Sequence, residues 1–115
     1  PTMRTLIATL IALMLFATTP VVAGDYEDGM AAYHAGDYQK ALRLWKPFAK
    51  QGDVDAQYNL GDMYAKGKGV PEDVAKAVHW YTKAANQGYT EAQYQLGVSY
   101  YNGEGVRQDD VRAYA

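Results

Sequence analysis

The chain has 115 residues, enough for one domain, and its 13 acidic and 11 basic residues give a net charge of −2. This mild acidity argues against the clustered basic surface that nucleic-acid binding requires, so no nucleic-acid partner is expected. The absence of cysteine excludes disulfides and thiol nucleophiles, so packing alone must stabilise the fold.

The first 23 residues have the pattern of a cleaved secretory signal peptide. A short positive start around Arg4 leads into an apolar run over residues 6–17, and the small residues Val21 and Ala23 precede the expected cut. The run is shorter than the roughly 20 residues that span a bilayer, so a retained membrane anchor is the less favoured alternative. We expect a periplasmic or secreted protein without membrane contact after cleavage. Loss of Arg4 would leave 10 basic and 13 acidic residues, a net charge of −3.

Two helices are predicted between Tyr26 and Gly52. Gly36 and Asp37 separate them, because glycine suits a helix C-terminus and aspartate caps the helix that follows. The second helix carries an apolar stripe at helical spacing, formed by Tyr38, Ala41, Leu42, Trp45, Phe48 and Ala49. Pro47 lies inside this helix, and a kink is expected between Arg43 and Pro47.

A third helix is predicted from about Asp53, its cap, to Lys66, and Gly67 and Gly69 end it. Pro71 and the two carboxylates after it suit the opening turn of a fourth helix, with proline at its first position. The fourth helix repeats the apolar spacing of the second helix 36 residues later, at Val74, Ala77, Val78, Tyr81, Ala84 and Ala85.

A fifth helix is predicted from about Thr90 to Asn102, and Thr90 with Gln93 fits a capping box. The stretch over residues 56–70 returns over residues 92–106 at the same offset of 36. A repeat of this length predicts an all-α solenoid of hairpins in which a helix A and a helix B alternate.

Gly61 and Gly97 occupy the same position inside helix A of consecutive units. Glycine inside a helix costs roughly 1 kcal/mol relative to alanine, so a compensating role is expected. The expected role is the close approach of a neighbouring helix.

The last helix B begins near Val111, and the sequence stops at Ala115 before the positions that match Trp80 and Tyr81. We therefore expect either that the sequence is a fragment or that its last unit is unfinished. Apolar surface of helix A would remain uncovered, and self-association through the C-terminal end is expected. That surface would include Leu96, Gly97 and Tyr100.

The second unit resembles the Sel1-like repeat, a relative of the tetratricopeptide repeat. Every fixed position of that pattern matches from Ala56 to Gly88, including Leu60, Gly61 and Trp80. The resemblance implies a right-handed α-solenoid of antiparallel helix hairpins. It divides the mature domain, residues 24–115, into a tetratricopeptide-like first unit at 24–52, a Sel1-like repeat at 53–88 and a truncated repeat at 89–115.

The resemblance also implies a binding surface, since helix A lines the concave face of such arrays. Matched residue by residue, the expected contacts are Asp55, Tyr58, Asp62 and Lys66 in the second unit and Glu91, Tyr94, Val98 and Asn102 in the third, with Ala65 and Tyr101 beside them. The first unit adds Tyr26, Met30, Tyr33 and His34. Tyr26, Tyr58 and Tyr94 would then give one aromatic side chain per unit for partner contact. The alternative is that these tyrosines only pack between helices.

Patterns of catalysis and metal binding are not found in the sequence, and neither a cofactor nor a metal is expected. His34 and His79 are expected to be packed or surface residues. The glycine segments 67–70 and 103–106 lack the preceding strand and the Lys-Ser/Thr end of a phosphate loop, so they are predicted to be hairpin turns. Asp109 and Asp110 lack the alternating oxygen ligands of a calcium loop.

We predict a non-catalytic protein-interaction module, an adaptor or scaffold in the bacterial envelope, that binds a protein or peptide on the concave helix-A face. A structural protein associated with cell-wall glycan is the alternative. The resemblance also raises β-lactam hydrolysis, but the exported Sel1-like proteins linked to it are rich in cysteine, which this chain lacks.

Overall fold

The computed structural model describes residues 23–103, which form five α-helices joined by short connections. Numbered in chain order, they are α1 (Ala23–His34), α2 (Tyr38–Lys50), α3 (Val54–Lys66), α4 (Val74–Asn86) and α5 (Thr90–Asn102). Each helix packs against the next one along the chain. α1, α3 and α5 are the A helices of successive units, and α2 and α4 are B helices. The predicted all-α repeat solenoid is confirmed.

Three helices begin with an aspartate cap, as expected for α2 and α3. The carboxylates of Asp37, Asp53 and Asp73 accept hydrogen bonds from backbone N–H groups three residues later, at distances of 3.3, 2.8 and 3.0 Å. These bonds satisfy donors that the first turn leaves unpaired. α3 ends at Gly67, whose φ of 66° lies in the left-handed region that glycine adopts without strain.

Two predicted features of helix N-termini are wrong, namely proline at the first position of α4 and the capping box of α5. Pro71 precedes α4 by three residues, and Asp73 takes the capping position instead. Thr90 is the first residue of α5, and its N-cap, Tyr89, makes no side-chain capping bond. The Gln93 amide donates instead to the Ala85 carbonyl at 3.3 Å, so it links α5 to the end of α4 and does not form a capping box.

Helix α2 continues through Pro47 and ends at Lys50. Proline therefore does not terminate the helix, although it removes one backbone donor from it. The kink expected between Arg43 and Pro47 stays a prediction.

The core follows the predicted apolar stripes. Ala41, Trp45 and Ala49 of α2 are buried, and the corresponding positions of α4 are buried from Ala77 to Ala85. The largest side chains that are fully buried are Trp45, Leu60, Met63 and Leu96. Burial of each such side chain removes enough apolar surface from water to contribute about 1.5–3 kcal/mol.

Glycines of helix A receive the aromatic side chains of helix B. A Cβ atom at Gly61 would lie 2.6 Å from Cδ1 of Tyr81, closer than side chains pack. The same arrangement occurs in the first unit, where a Cβ at Gly29 would lie 2.7 Å from Cδ1 of Trp45. The close approach predicted for Gly61 is confirmed. For Gly97, no residue of the described region lies within 4 Å of the Cβ position.

A buried glutamine joins the first two units. Gln57 is 4% exposed, and its amide donates to the Ala49 carbonyl at 3.1 Å. Its own oxygen accepts a hydrogen bond of 2.9 Å from Gln87, which also donates to the Gly52 carbonyl. Because a buried amide without partners would cost about 1–3 kcal/mol, these bonds make a polar core position tolerable.

The glycine segment after α3 packs against the first unit, consistent with the predicted hairpin turn. The Lys68 ammonium donates to the Tyr33 hydroxyl at 2.9 Å and lies 5.0 and 5.2 Å from the ring centres of Tyr33 and Tyr38. Gly69 has a φ of 76°, and a Cβ there would lie 2.8 Å from the backbone of Tyr38. The segment is therefore an inter-unit contact.

The apolar surface at the end of the stack consists of other residues than those expected. Leu96 and Tyr100 are buried, whereas Tyr94, Val98 and Tyr101 of the same helix are exposed. The residues of the last helix B, from Val111 onwards, lie outside the described region. Within residues 23–103, no helix combines the length and apolar character needed to cross a bilayer.

We predict that Gly61→Leu lowers the free energy of unfolding by about 1–3 kcal/mol, because the new side chain must displace the Tyr81 ring. Urea denaturation followed by circular dichroism measures this cost. In a Tyr81→Ala background the same substitution should cost markedly less, since the obstructing ring is gone. An equal cost in both backgrounds would show that the Tyr81 contact is not its cause.

Candidate functional site

A continuous surface links the three A helices, and we call it the helix-A face. It is formed by Tyr26, Asp55, Tyr58, Asn59, Tyr89 and Glu91. Asp55, Tyr58 and Asn59 share one side of α3, because residues three and four positions apart lie on one helix face. Asp55 and Glu91 are exposed, and the three tyrosines are half-buried.

Tyr26 connects α1 to α3. Its hydroxyl accepts a hydrogen bond of 3.4 Å from the Asn59 amide. Its ring lies 6.0 Å from that of Trp45 and 5.7 Å from that of Phe48, and the Trp45 indole donates to the Tyr26 carbonyl at 3.1 Å. Trp45 and Phe48 of α2 therefore hold the Tyr26 ring in place.

Tyr58 connects α3 to the start of α5. Its ring centre lies 4.9 Å from that of Tyr89 and 5.6 Å from that of Tyr81 on α4. Packing between helices, the alternative role considered for these tyrosines, is thus present at both Tyr26 and Tyr58. Because both residues are only half-buried, their outer edges still reach the surface.

Hydrogen bonds link Asp62 to Lys66 and to Tyr81 beside this surface. The Lys66 ammonium donates to Asp62 at 2.8 Å, and the Tyr81 hydroxyl donates to the other carboxylate oxygen at 3.2 Å. The Asp62 side chain is only 19% exposed. Of the contacts expected in the second unit, Asp55 and Tyr58 therefore lie on the helix-A face, whereas Asp62 and Lys66 bind one another.

The contacts expected in the third unit line one exposed side of α5. Tyr94 is 69% exposed and Val98 is 38% exposed, with Asn102 exposed beyond them. Thr90, Gln93 and Gly97 complete a shallow groove with Tyr94, Val98 and Tyr101. Thirty-six residues earlier, the corresponding residues of α3 are Tyr58, Gly61 and Asp62, which all contact Tyr81 of helix B. Tyr94 is therefore the third-unit equivalent of Tyr58, and Val98 is that of Asp62.

Burial and nearby carboxylates raise the pKa of the face tyrosines. For Tyr26 and Tyr89 the main cause is loss of water contact, followed by the negative charge of Asp55. For Tyr58 burial again dominates, followed by Asp62. Both effects disfavour a phenolate, so these side chains present neutral rings and hydroxyl groups near exposed carboxylates.

Three residues of this region were not predicted as contacts or as core polar groups. Asn59 and Tyr89 belong to the helix-A face, and Gln57 is the buried glutamine that bonds to Ala49 and Gln87. A sequence indication existed only for Gln57, because the Ala-Gln-Tyr triplet recurs 36 residues later at Ala92. Asn59 and Tyr89 have no such recurrence.

The histidines lie apart from this surface. His34 ends α1 and lies 6.0 Å from the Tyr33 ring, and His79 lies 5.2 Å from the Trp80 ring on α4; both are exposed. Across residues 23–103, no three His, Asp or Glu side chains converge as a metal site would require.

Comparisons with known proteins agree on the repeat. The Sel1 repeat model matches residues 23–53, 54–89 and 90–115. A crystal structure of a Sel1 repeat protein from Oxalobacter formigenes is 37% identical over 70% of this chain, with a TM-score of 0.65. A protective antigen of uropathogenic Escherichia coli strains that displays an SLR fold is 42% identical over 71% of this chain, with a TM-score of 0.66. No curated protein matches the chain.

This chain spans only part of those two structures. It covers 33% of the Oxalobacter protein and 18% of the Escherichia coli antigen. The two proteins therefore support the repeat architecture of this chain only.

The pKa of Tyr81 leads to a prediction about alkaline stability. Burial, reinforced by the Asp62 charge, raises this pKa well above its ordinary value of 10.0. Protonated Tyr81 therefore stabilises the fold below pH 10, and this stabilisation is lost as the pH rises further, because only the unfolded state then ionises readily. In Tyr81→Phe, the fall in unfolding free energy above pH 10 should be shallower by up to about 1.4 kcal/mol per pH unit.

Urea denaturation at a series of pH values measures that slope. Tyr94→Phe is the matched control, since it removes a hydroxyl from an exposed ring. Identical slopes in Tyr81→Phe and the parent protein would contradict the assignment.

Proposed function

Because this chain belongs to the Sel1 repeat family, whose repeats are generally protein-interaction modules, we propose that it is an adaptor that binds another protein or peptide through its helix-A face. The main support for this proposal is the linked set of half-buried tyrosines on α1, α3 and the start of α5, namely Tyr26, Tyr58 and Tyr89. Aromatic side chains with polar tips, held rigid from behind, are typical of protein-binding surfaces.

Rigidity favours binding because little side-chain freedom remains to be lost when a partner docks. Tyr26 is fixed by Trp45 and Asn59, and Tyr58 is fixed by Tyr81 and Tyr89. The neighbouring carboxylates Asp55 and Glu91 add charge at the edge of the surface. We propose a non-catalytic role for the surface, in keeping with the family's general use as a scaffold.

The proposed site of action is the bacterial envelope. Support comes from the N-terminal sequence, in which Arg4, the apolar run over residues 6–17 and the small residues Val21 and Ala23 follow the order of a secretory signal peptide.

Export predicts a defined mature N-terminus. Mass spectrometry of the protein recovered from the periplasm or medium should show a chain that begins at Gly24 or within one or two residues of it. Recovery of the intact run over residues 6–17 in the membrane fraction would contradict cleavage.

Cross-linking in cells tests the binding surface. With the photoreactive residue p-benzoylphenylalanine at position 94, in place of exposed Tyr94, we expect an adduct of one defined mass with a second protein. Position 94 lies next to the helix-A face, because it is one turn beyond Glu91 on α5 and corresponds to Tyr58 at the 36-residue offset.

The control places the same photoreactive residue at position 46, in place of Lys46, which is exposed on helix B. It should not give that adduct. The same adducts at both positions, or none at position 94, would contradict binding near the helix-A face.

A further inference from the structure

The helix-A face combines aromatic rings with carboxylates that have no basic partner. Lys66 and Asp62 form an ion pair beside this face. Asp55 and Glu91, in the first turns of α3 and α5, are exposed and, within residues 23–103, belong to no such pair. The surface therefore carries uncompensated negative charge.

The two carboxylates lie near the tyrosines along the chain: Asp55 is one turn before Tyr58 on α3, and Glu91 follows Tyr89 by two residues at the start of α5. The negative charge of Asp55 raises the pKa of Tyr26 and Tyr89, and that of Glu91 raises the pKa of Tyr58 and Tyr89. Tyr58 and Tyr89 are in ring contact at 4.9 Å. The rings and both carboxylates thus belong to one patch that reaches from α1 to α5.

Aromatic rings elsewhere in the molecule already bind cations. The Lys68 ammonium lies over Tyr33 and Tyr38, Lys76 lies 5.5 Å from the Tyr64 ring centre, and Lys83 lies 5.9 Å from that of Trp80. In the described part of the chain, no lysine or arginine lies over the ring of Tyr26, Tyr58 or Tyr89 in this way. Because each of these rings is only half-buried, its exposed part is available to a cation from a partner.

We propose that the helix-A face binds a segment rich in lysine or arginine on the partner protein, with the cationic side chains between the tyrosine rings and the carboxylates of Asp55 and Glu91. This specifies the partner chemistry of the proposed function and rests on it. A cation between a ring face and a carboxylate gains from both, by cation–π attraction and by charge pairing.

The other partner classes fit less well. An acidic segment would be repelled by both carboxylates, and an apolar one would strip water from them without supplying a counter-charge. Charge complementarity therefore selects a basic segment.

The experiment is an NMR titration of the ¹⁵N-labelled domain with three decapeptides, in which alanine alternates with lysine, serine or glutamate. The lysine peptide should shift the amide signals of Asp55, Tyr58, Tyr89 and Glu91 in a saturable manner. The serine peptide should bind at least tenfold more weakly, and the glutamate peptide should not shift these signals.

Charge-removing variants decide whether the two carboxylates are responsible. Asp55→Asn with Glu91→Gln should weaken binding of the lysine peptide at least tenfold. The control, Asp28→Asn with Glu72→Gln, makes the same chemical changes at two exposed positions outside the face and should change the Kd less than twofold. Circular dichroism melting confirms that both variants fold.

Equal weakening in the two double variants would overturn the proposal, since it would indicate general charge attraction. Saturable binding of the serine or glutamate peptide at the same amides, as tight as that of the lysine peptide, would also overturn it while leaving the binding function of the face intact. No peptide shift, together with no cross-link at position 94, would refute both the partner chemistry and the proposed function.

Discussion

The first two helix hairpins depend on the packing of a helix-B aromatic ring against a helix-A glycine. Trp45 lies over Gly29 and Tyr81 lies over Gly61, each so close that a Cβ atom would overlap the ring. The loss of helix propensity at glycine costs roughly 1 kcal/mol. Burial of a large aromatic side chain offsets that cost, because it removes a greater apolar area from water.

This contact also determines how the side chains on the helix-A face are held. Tyr81 packs on Gly61, lies against the Tyr58 ring and donates to Asp62. Tyr58 is therefore fixed by the same side chain that joins the two helices of its unit. The proposed binding surface is thus a consequence of the packing, since the residues that hold the helices together also support the exposed tyrosine edges.

The helices were predictable because each depends on local rules. The 36-residue offset, the aspartate caps and the glycine after Lys66 located α3 and α5 within a residue. The partners of side chains were less predictable. The side chain of Gln93 donates a hydrogen bond to a carbonyl at the end of the preceding helix, and the Asp62 carboxylate accepts one from Tyr81, 19 residues away. Such contacts follow from how helices pack, which spacing alone does not specify.

The seating of rings on glycines can be observed directly in solution by nuclear Overhauser spectroscopy of the isotope-labelled domain. Strong cross-peaks are expected from the Gly61 α-protons to the Tyr81 ring protons and from the Gly29 α-protons to the Trp45 indole. Their absence, with the Tyr81 ring protons contacting other residues instead, would contradict this packing.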